Sequence, residues 1–151
     1  MVELAQSAGE LRLNSNDPHE QMFINCRYLE HPRDRERLRE GVRIILKMME
    51  HESFNGIVEE LISPMEADLT SDETLDRWLL ENVWIGQHLS GTCKMGSDSD
   101  EMAVVDQYGR VRGVQGLRVA DASIMPDCIR ANTNCTTIMI GERVANWIIN
   151  H

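Results

Sequence analysis

Residues 87–96 read Gln-His-Leu-Ser-Gly-Thr-Cys-Lys-Met-Gly, and this stretch governs the interpretation of the rest of the chain. Ser90 and Gly91 interrupt regular structure, so the sequence predicts that His88 lies where a strand or helix end meets a loop. A histidine side chain holds or releases a proton near neutral pH, which makes His88 a candidate base. The alternative is an ordinary surface or core histidine, because one loop histidine is a weak signal on its own.

A second polar cluster, downstream of His88, strengthens the interpretation of the histidine as a base. Residues 130–137 read Arg-Ala-Asn-Thr-Asn-Cys-Thr-Thr and directly precede a predicted helix from about Thr136 to Ile149. The free N–H groups and partial positive charge of a helix N-terminus suit a phosphate, a carboxylate or a reduced cofactor. The alternative is simple N-capping of the helix by Asn or Thr.

Composition excludes several functional classes. The chain has 151 residues, enough for one large domain or parts of two, and a formal net charge of −10. Such acidity argues against nucleic acid and anionic membranes as partners. No apolar run approaches the ~18 residues of a membrane helix, and Met1–Gln6 lacks the pattern of a signal peptide. We therefore expect a cytoplasmic protein without a membrane segment.

Cysteine spacing gives no sign of a metal site. The four cysteines contain no Cys-x-x-Cys pair and no histidine partner at zinc-finger distance. Without an export signal, we expect reduced thiols, although two disulfides are formally possible. The acidic loop 97–101 lacks the twelve-residue calcium pattern, which favours a solvated loop.

The first half of the sequence predicts two short extended segments and several helices. Gly9–Leu13 alternates as a strand does, and Met22–Cys26 is a second extended piece. A helix beginning near Pro32 carries an apolar stripe and a charged face, which we expect to be solvated. The apolar stripe comprises Leu38, Val42, Ile45, Leu46 and Met49, and the charged face comprises Arg33, Arg35, Glu36, Arg39 and Glu40.

Two further helices are predicted before the histidine. A short one spans about Gly56–Leu61 and ends before Pro64. The second starts at a capping box in which Glu73 reaches back to the amide of Thr70. Its apolar positions are Leu75, Trp78 and Leu79.

After the histidine the sequence predicts tight turns and a strand. Asp106–Gly109 reads as a hairpin turn with Gly109 at a positive φ. Residues 113–116 form another turn, and Leu117–Ala120 is predicted to be a buried strand.

Three ordered blocks then show a family resemblance: residues 88–96, 105–126 and 132–143. Together they resemble the C-terminal region of the glucose–methanol–choline (GMC) family of flavin oxidoreductases. Gly9–Leu46, with His-Pro-Arg-Asp at 31–34, resembles the preceding part of that region. The likeness is greatest to choline-dehydrogenase-like bacterial members, including the type associated with mycofactocin. It implies an α+β fold, with substrate-domain sheet and helices followed by the closing strand and helix of an FAD domain.

The resemblance assigns catalytic roles to two residues. His88 matches the active-site histidine, which would take the hydroxyl proton of a small-molecule alcohol while hydride leaves for flavin N5. Asn132 matches the second active-site position, and its amide would orient the substrate oxygen. It lies eleven residues before Arg143, the spacing seen in those relatives.

The resemblance also implies FAD as cofactor. Asp121 and Ala122 match the strand-end segment that touches the FAD chain. Thr133, Asn134 and Thr136 match positions where backbone groups meet the isoalloxazine ring.

The expected domain organisation follows from the same likeness. Residues 1–85 would be part of a substrate-binding domain, and residues 86–151 the active-site segment and C-terminal part of the FAD-binding domain. The Gly-x-Gly-x-x-Gly dinucleotide motif of such enzymes is absent from the sequence. We therefore expect the N-terminal FAD-binding portion as a partner and little activity of this chain alone. The alternatives are a non-catalytic interaction fragment, half of a split enzyme, or a lyase on the same scaffold.

Overall fold

The fold is of the predicted α+β class and divides into two compact units after Trp84. A computed structural model describes residues 4–150. The first unit contains a small sheet and two helices, and the second contains tight turns, isolated bridges and one long helix.

The sheet of the first unit is a two-stranded antiparallel hairpin. Strand β1, Glu10–Arg12, pairs with β2, Phe23–Asn25, so that Leu11 faces Ile24. Both segments were predicted to be extended, which is confirmed.

The first long helix, α1, spans Pro32–Met49, as predicted from its N-terminal proline and apolar stripe. His31 caps it, since its Nδ1 accepts the Arg33 amide at 3.2 Å. Asp34, in the first turn, is 2% exposed. Its carboxylate accepts the backbone N–H groups of Gln6 and Ser7 and the Ser7 hydroxyl, at 2.7–3.0 Å. Asp34 therefore ties the N-terminal segment to α1.

The second helix, α2, spans Asp72–Asn82. Its capping box lies one residue later than predicted: Ser71 accepts the Thr74 amide at 3.2 Å, and Thr74 Oγ1 accepts the Ser71 amide at 3.0 Å. Threonine at this position reaches the cap amide itself, so the predicted pairing of Glu73 with Thr70 is wrong. Leu75 and Leu79 of α2 pack with Leu29 as the core of the first unit.

The predicted solvated face of α1 is only partly solvated, because α2 packs against it. Arg39 Nη1 lies 2.7 Å from the Asp76 carboxylate, and its side chain is 16% exposed. The hydrogen bonds that Arg39 donates to the Asp76 carboxylate raise the pKa of Arg39 above its usual value, with Asp76 and Asp72 adding charge attraction. Arg35 also pairs with Asp76. Ion pairs between α1 and α2 thus replace water on this face.

The predicted helix at Gly56–Leu61 is wrong. The structure has only 3₁₀ turns nearby, at Glu52–Phe54 and Glu66–Leu69. Gly56 has φ = +76°, a left-handed conformation that a right-handed helix cannot contain.

The second unit is organised by the hairpin that ends at Gly109. The Gly109 amide donates to the Asp106 carbonyl at 3.0 Å, and φ of Gly109 is +73°. Val105 and Val111 form an antiparallel bridge across the turn. This hairpin was predicted and is confirmed. The strand predicted at 117–120 is wrong, since only one bridge forms there and Leu117 is 50% exposed.

The last helix, α3, spans Asn134–Asn150, starting two residues before the predicted position. Ile140 and Val144 of α3 are buried, and they pack with Val105, Ile124 and Met125 as the core of the second unit. A 3₁₀ turn at Ala122–Ile124 lies against this helix. The C-terminal helix, the hairpin and the 3₁₀ turn therefore share one core.

Candidate active site

His88 lies on a loop whose backbone is in an unusual conformation. Gln87, directly before it, has φ = +59°, which is uncommon for a residue with a side chain. The imidazole is half-buried, and its Nδ1 lies 3.1 Å from the Thr133 hydroxyl oxygen. Within residues 4–150, Nε2 of His88 has no hydrogen-bond partner. That nitrogen is open to a ligand.

The loop that follows His88 is fixed to the 3₁₀ turn at residues 122–124 by a ladder of backbone hydrogen bonds. The amides of Gly91, Cys93 and Met95 donate to successive carbonyls of the turn, at 3.3, 2.9 and 2.8 Å. Two segments that the sequence singled out separately, residues 88–96 and 121–124, therefore lie side by side. The buried core beneath them holds this arrangement in place.

The N-terminus of α3 supplies the second half of the site. Thr133 is 8% exposed and precedes the helix, and its carbonyl accepts the amide and hydroxyl of Thr137, both at 2.8 Å. Asn134 and Cys135 are exposed, and Thr136 is half-buried. Within the described residues, the amides of 134–136 have no acceptor. A helix start of this kind offers N–H donors and a partial positive charge to a ligand.

Asn132 stands one residue before the threonine that contacts His88. Its side chain is exposed, and its carboxamide makes no hydrogen bond to any residue of 4–150. The contact between His88 and Thr133 therefore brings the backbone of residue 132 close to the imidazole, although 44 positions separate the two in sequence. A free carboxamide so placed is able to bind a polar group of a ligand.

Asp121 begins the 3₁₀ turn and is exposed. Its carboxylate accepts the Ser123 amide at 2.8 Å. Hydrogen bonds from the Ser123 hydroxyl and amide hold the pKa of Asp121 below its usual value, although burial opposes them. It is thus an ionised acceptor suited to hydroxyl groups. Ala122 is half-buried, and its carbonyl accepts the Gly91 amide.

The residues present therefore fit the isoalloxazine and chain of FAD in their chemistry. Free amides at a helix start suit carbonyl oxygens and developing negative charge, and an ionised carboxylate suits hydroxyl groups. All seven predicted site residues belong to the second unit. The structure links His88 to Thr133 directly, and sequence reasoning missed this contact: it had assigned Thr133 to the flavin alone.

Two shallow cavities, of about 380 and 430 Å³, lie along α1 in the first unit. Neither is lined by a predicted site residue. Among residues 4–150 there is no group of three His, Cys, Asp or Glu side chains arranged to hold a metal ion. In the same part of the chain, none of the helices is both long and apolar enough to cross a membrane.

Comparison with known proteins identifies the family to which the chain belongs. The family model described as GMC oxidoreductase matches residues 5–141, so the chain belongs to the GMC oxidoreductase family. The fold is accordingly the C-terminal portion of a GMC oxidoreductase, and FAD is the cofactor of the enzymes to which this portion belongs.

Individual relatives agree with this assignment. The oxygen-dependent choline dehydrogenase of Cronobacter sakazakii is 44% identical over 142 residues, which are 94% of this chain and 25% of that protein. Formate oxidase of Aspergillus oryzae, in a structure of its R554A variant, has a TM-score of 0.84 and 32% identity over 95% of this chain and 25% of the other. An FAD-dependent oxidoreductase from Chaetomium thermophilum has a TM-score of 0.81 and 27% identity over 93% of this chain and 24% of the other.

The chain thus spans about a quarter of the length of the relatives it matches. The resemblance to choline-dehydrogenase-like members is confirmed by the first of them. The association with mycofactocin stays a prediction.

Proposed function

We propose that the chain is the C-terminal part of an FAD-dependent oxidoreductase that oxidises an alcohol. The observation that carries this proposal is the imidazole of His88, which is held at Nδ1 by Thr133 and has no partner at Nε2 among residues 4–150. In this proposal residues 1–85 belong to the substrate-binding domain, and residues 86–151 supply the active-site segment and the end of the FAD-binding domain. The missing portion of the enzyme would carry the dinucleotide-binding motif.

His88 would act as the base. Oxidation of an alcohol to a carbonyl removes one proton from oxygen and one hydride from carbon. When bound, FAD supplies the hydride acceptor, at N5 of its flavin. Nε2 of His88 would take the hydroxyl proton, because negative charge on the oxygen weakens the neighbouring C–H bond toward hydride loss. A base within hydrogen-bond reach of the hydroxyl is therefore required.

Asn132 would bind and orient the substrate oxygen. Its carboxamide has no partner within residues 4–150, so its N–H groups are available as donors. A donor placed opposite the base stabilises the oxygen as it gains negative charge and holds the reacting carbon in position.

The cofactor contacts would come from two segments. The amides of Asn134 and Thr136, which have no acceptor among the described residues, would face the flavin ring. Asp121 and Ala122 would contact the chain of FAD, where the ionised carboxylate accepts hydroxyl groups. Because the chain covers only about a quarter of its relatives, we expect it to be incomplete as an FAD site.

Reduction of flavin by an alcohol tests the proposed reaction. In the complete enzyme, mixed without oxygen, choline is the first alcohol to try, since a relative is a choline dehydrogenase. Substrate-dependent bleaching of the flavin absorbance is the expected result, with other primary alcohols as comparison. A lyase or a non-catalytic module would leave the flavin oxidised with every alcohol.

Addition of FAD to the 151-residue chain alone tests its proposed incompleteness. We expect no stable yellow complex after gel filtration. Co-expression with the N-terminal portion should restore the bound flavin. A yellow complex of this chain alone would contradict the proposed division of the cofactor site.

A further inference from the structure

Thr133 makes a contact that its assignment to the flavin does not explain. The residue is 8% exposed, and Oγ1 lies 3.1 Å from Nδ1 of His88. We propose that Thr133 is a positioning residue, whose hydroxyl accepts the Nδ1–H of His88 and so leaves Nε2 to take the substrate proton. This inference rests on the proposed function of His88 as the base.

The reason lies in the two nitrogens of imidazole. A neutral ring carries its hydrogen on one nitrogen and a lone pair on the other, and the partner of one nitrogen determines the state of both. If the Thr133 oxygen accepts from Nδ1, the lone pair resides on Nε2 and is available to a substrate hydroxyl. Once Nε2 has gained a proton, Nδ1 still carries its own. The same hydrogen bond therefore persists through proton transfer without reorganisation.

Helix capping does not account for the contact that the Thr133 hydroxyl makes. A threonine that precedes a helix commonly uses its side-chain oxygen to accept a backbone amide of the first turn. Within residues 4–150, Oγ1 of Thr133 makes no such bond, and its partner is the imidazole 45 positions earlier. The first-turn amides have no acceptor in the described part of the chain, while the hydroxyl of the buried Thr133 contacts His88.

Both partners are held by their own backbones. The Thr133 carbonyl accepts two hydrogen bonds from Thr137, each of 2.8 Å, which fixes the residue at the start of α3. On the other side, the loop after His88 is bonded to the 3₁₀ turn through Cys93 and Ser123. A ring clamped between two fixed segments has a defined orientation, which proton transfer requires.

The tautomer of His88 is measurable by NMR on the 151-residue chain. Long-range ¹H–¹⁵N correlation of histidine-labelled protein distinguishes a protonated ring nitrogen from a bare one. At a pH where His88 is neutral, we expect its hydrogen on Nδ1 in the wild type and in Thr133→Ser. In Thr133→Val, which has nearly the same shape but no hydroxyl, we expect the Nε2–H form to become substantially populated.

Thr137→Val is the matched control, because it removes a hydroxyl from the same helical turn. That hydroxyl donates to the Thr133 carbonyl and does not contact His88. The variant keeps the hydrogen bond from the Thr137 amide to the Thr133 carbonyl, which still holds Thr133 in place, so it should leave the tautomer unchanged. Neutral wild-type His88 with its hydrogen on Nε2 would overturn the proposal, as would an unchanged tautomer in folded Thr133→Val. The tautomer in the wild-type spectrum tests the proposal by itself, so the test remains even if Thr133→Val does not fold.

The kinetic consequence is measured in the complete enzyme. Thr133→Val should slow flavin reduction about tenfold or more, as expected for a lost hydrogen bond to a group that becomes charged. Thr133→Ser should recover most of the rate. Equal losses in the two variants would contradict a role of the hydroxyl.

The tautomer of His88 and the rate of flavin reduction together distinguish failure of the proposed function from failure of the role of Thr133. A fast His88→Ala enzyme would overturn the proposed function and leave the tautomer result standing. An Nε2–H tautomer together with an essential His88 would overturn the role of Thr133 alone.

Discussion

Nδ1 of His88 and Oγ1 of Thr133 lie 3.1 Å apart, although the two residues are 45 positions apart along the chain. One residue belongs to a loop and the other precedes the long C-terminal helix. Their contact joins the two polar clusters of the sequence into one site, and it places the backbone of Asn132 beside the histidine. The predictions about catalysis depend on this relationship.

Replacement of Asn132 should be milder than replacement of the histidine. In the complete enzyme, Asn132→Ala removes a donor to the substrate oxygen and should slow flavin reduction about tenfold, with weaker substrate binding. Stopped-flow reduction at several alcohol concentrations measures both effects. Asn146→Ala, at an exposed asparagine of α3, is the control. If neither binding nor reduction changes in Asn132→Ala, the residue does not belong to the site.

Asp34 should be a main determinant of stability in the first unit. Its burial opposes ionisation, but hydrogen bonds from the Gln6 amide and from the Ser7 hydroxyl and amide outweigh that effect and lower its pKa. Asp34→Asn places an NH₂ group against those donors and should reduce the free energy of unfolding by about 1–3 kcal/mol at pH 7. Urea denaturation measures this loss.

The pH dependence of the same variant has a defined sign. The pKa of Asp34 is lower in the folded state than its ordinary value of 3.8. Its contribution to the free energy of unfolding is therefore fully present above pH 3.8 and is lost as the pH falls through the folded-state pKa. The difference in stability between wild type and Asp34→Asn should therefore shrink below about pH 4. Glu36→Gln, at an exposed ion pair with Arg33, should change stability by about 0.5 kcal/mol or less. A difference that is constant down to pH 2 would contradict the role of the Asp34 carboxylate.

Gly109 should tolerate no side chain. Its φ is +73°, and a Cβ there would stand 2.6 Å from the Val119 carbonyl oxygen. Gly109→Ala thus combines backbone strain with a steric overlap. The matched control is Gly113→Ala. Gly113 has φ = +74°, but apart from its chain neighbours no atom of the described residues lies within 4 Å of the added Cβ. We expect a loss of about 1–2 kcal/mol in the control and at least ~1 kcal/mol more at Gly109. Equal losses in urea denaturation would show that the contact with Val119 is unimportant.

The sequence predicted the elements whose signals are local. Proline at its N-terminus and a regular apolar stripe identified α1, and Gly109 in a short polar turn identified the hairpin. The predicted helix at Gly56–Leu61 failed because apolar spacing does not reveal that Gly56 adopts a positive φ. In these cases the local conformation of a single residue decided whether the predicted element was correct.

Tertiary contacts could not be predicted from local patterns. The charged face of α1 looked solvated, but Arg39 is held by Asp76, 37 positions later. In the same way, residue types and spacing singled out His88 and Thr133 separately and gave no reason to pair them. The resemblance to a family supplied the candidate residues, and the fold supplied the contact between them.

The rate of flavin reduction in His88→Ala tests the central claim most directly. In the complete enzyme, mixed anaerobically with its alcohol, we expect reduction at least ~10²-fold slower than in the wild type, because the substrate loses its base. His19→Ala, at an exposed histidine of the first unit, should reduce at the wild-type rate. Near-normal flavin reduction in His88→Ala would contradict the account.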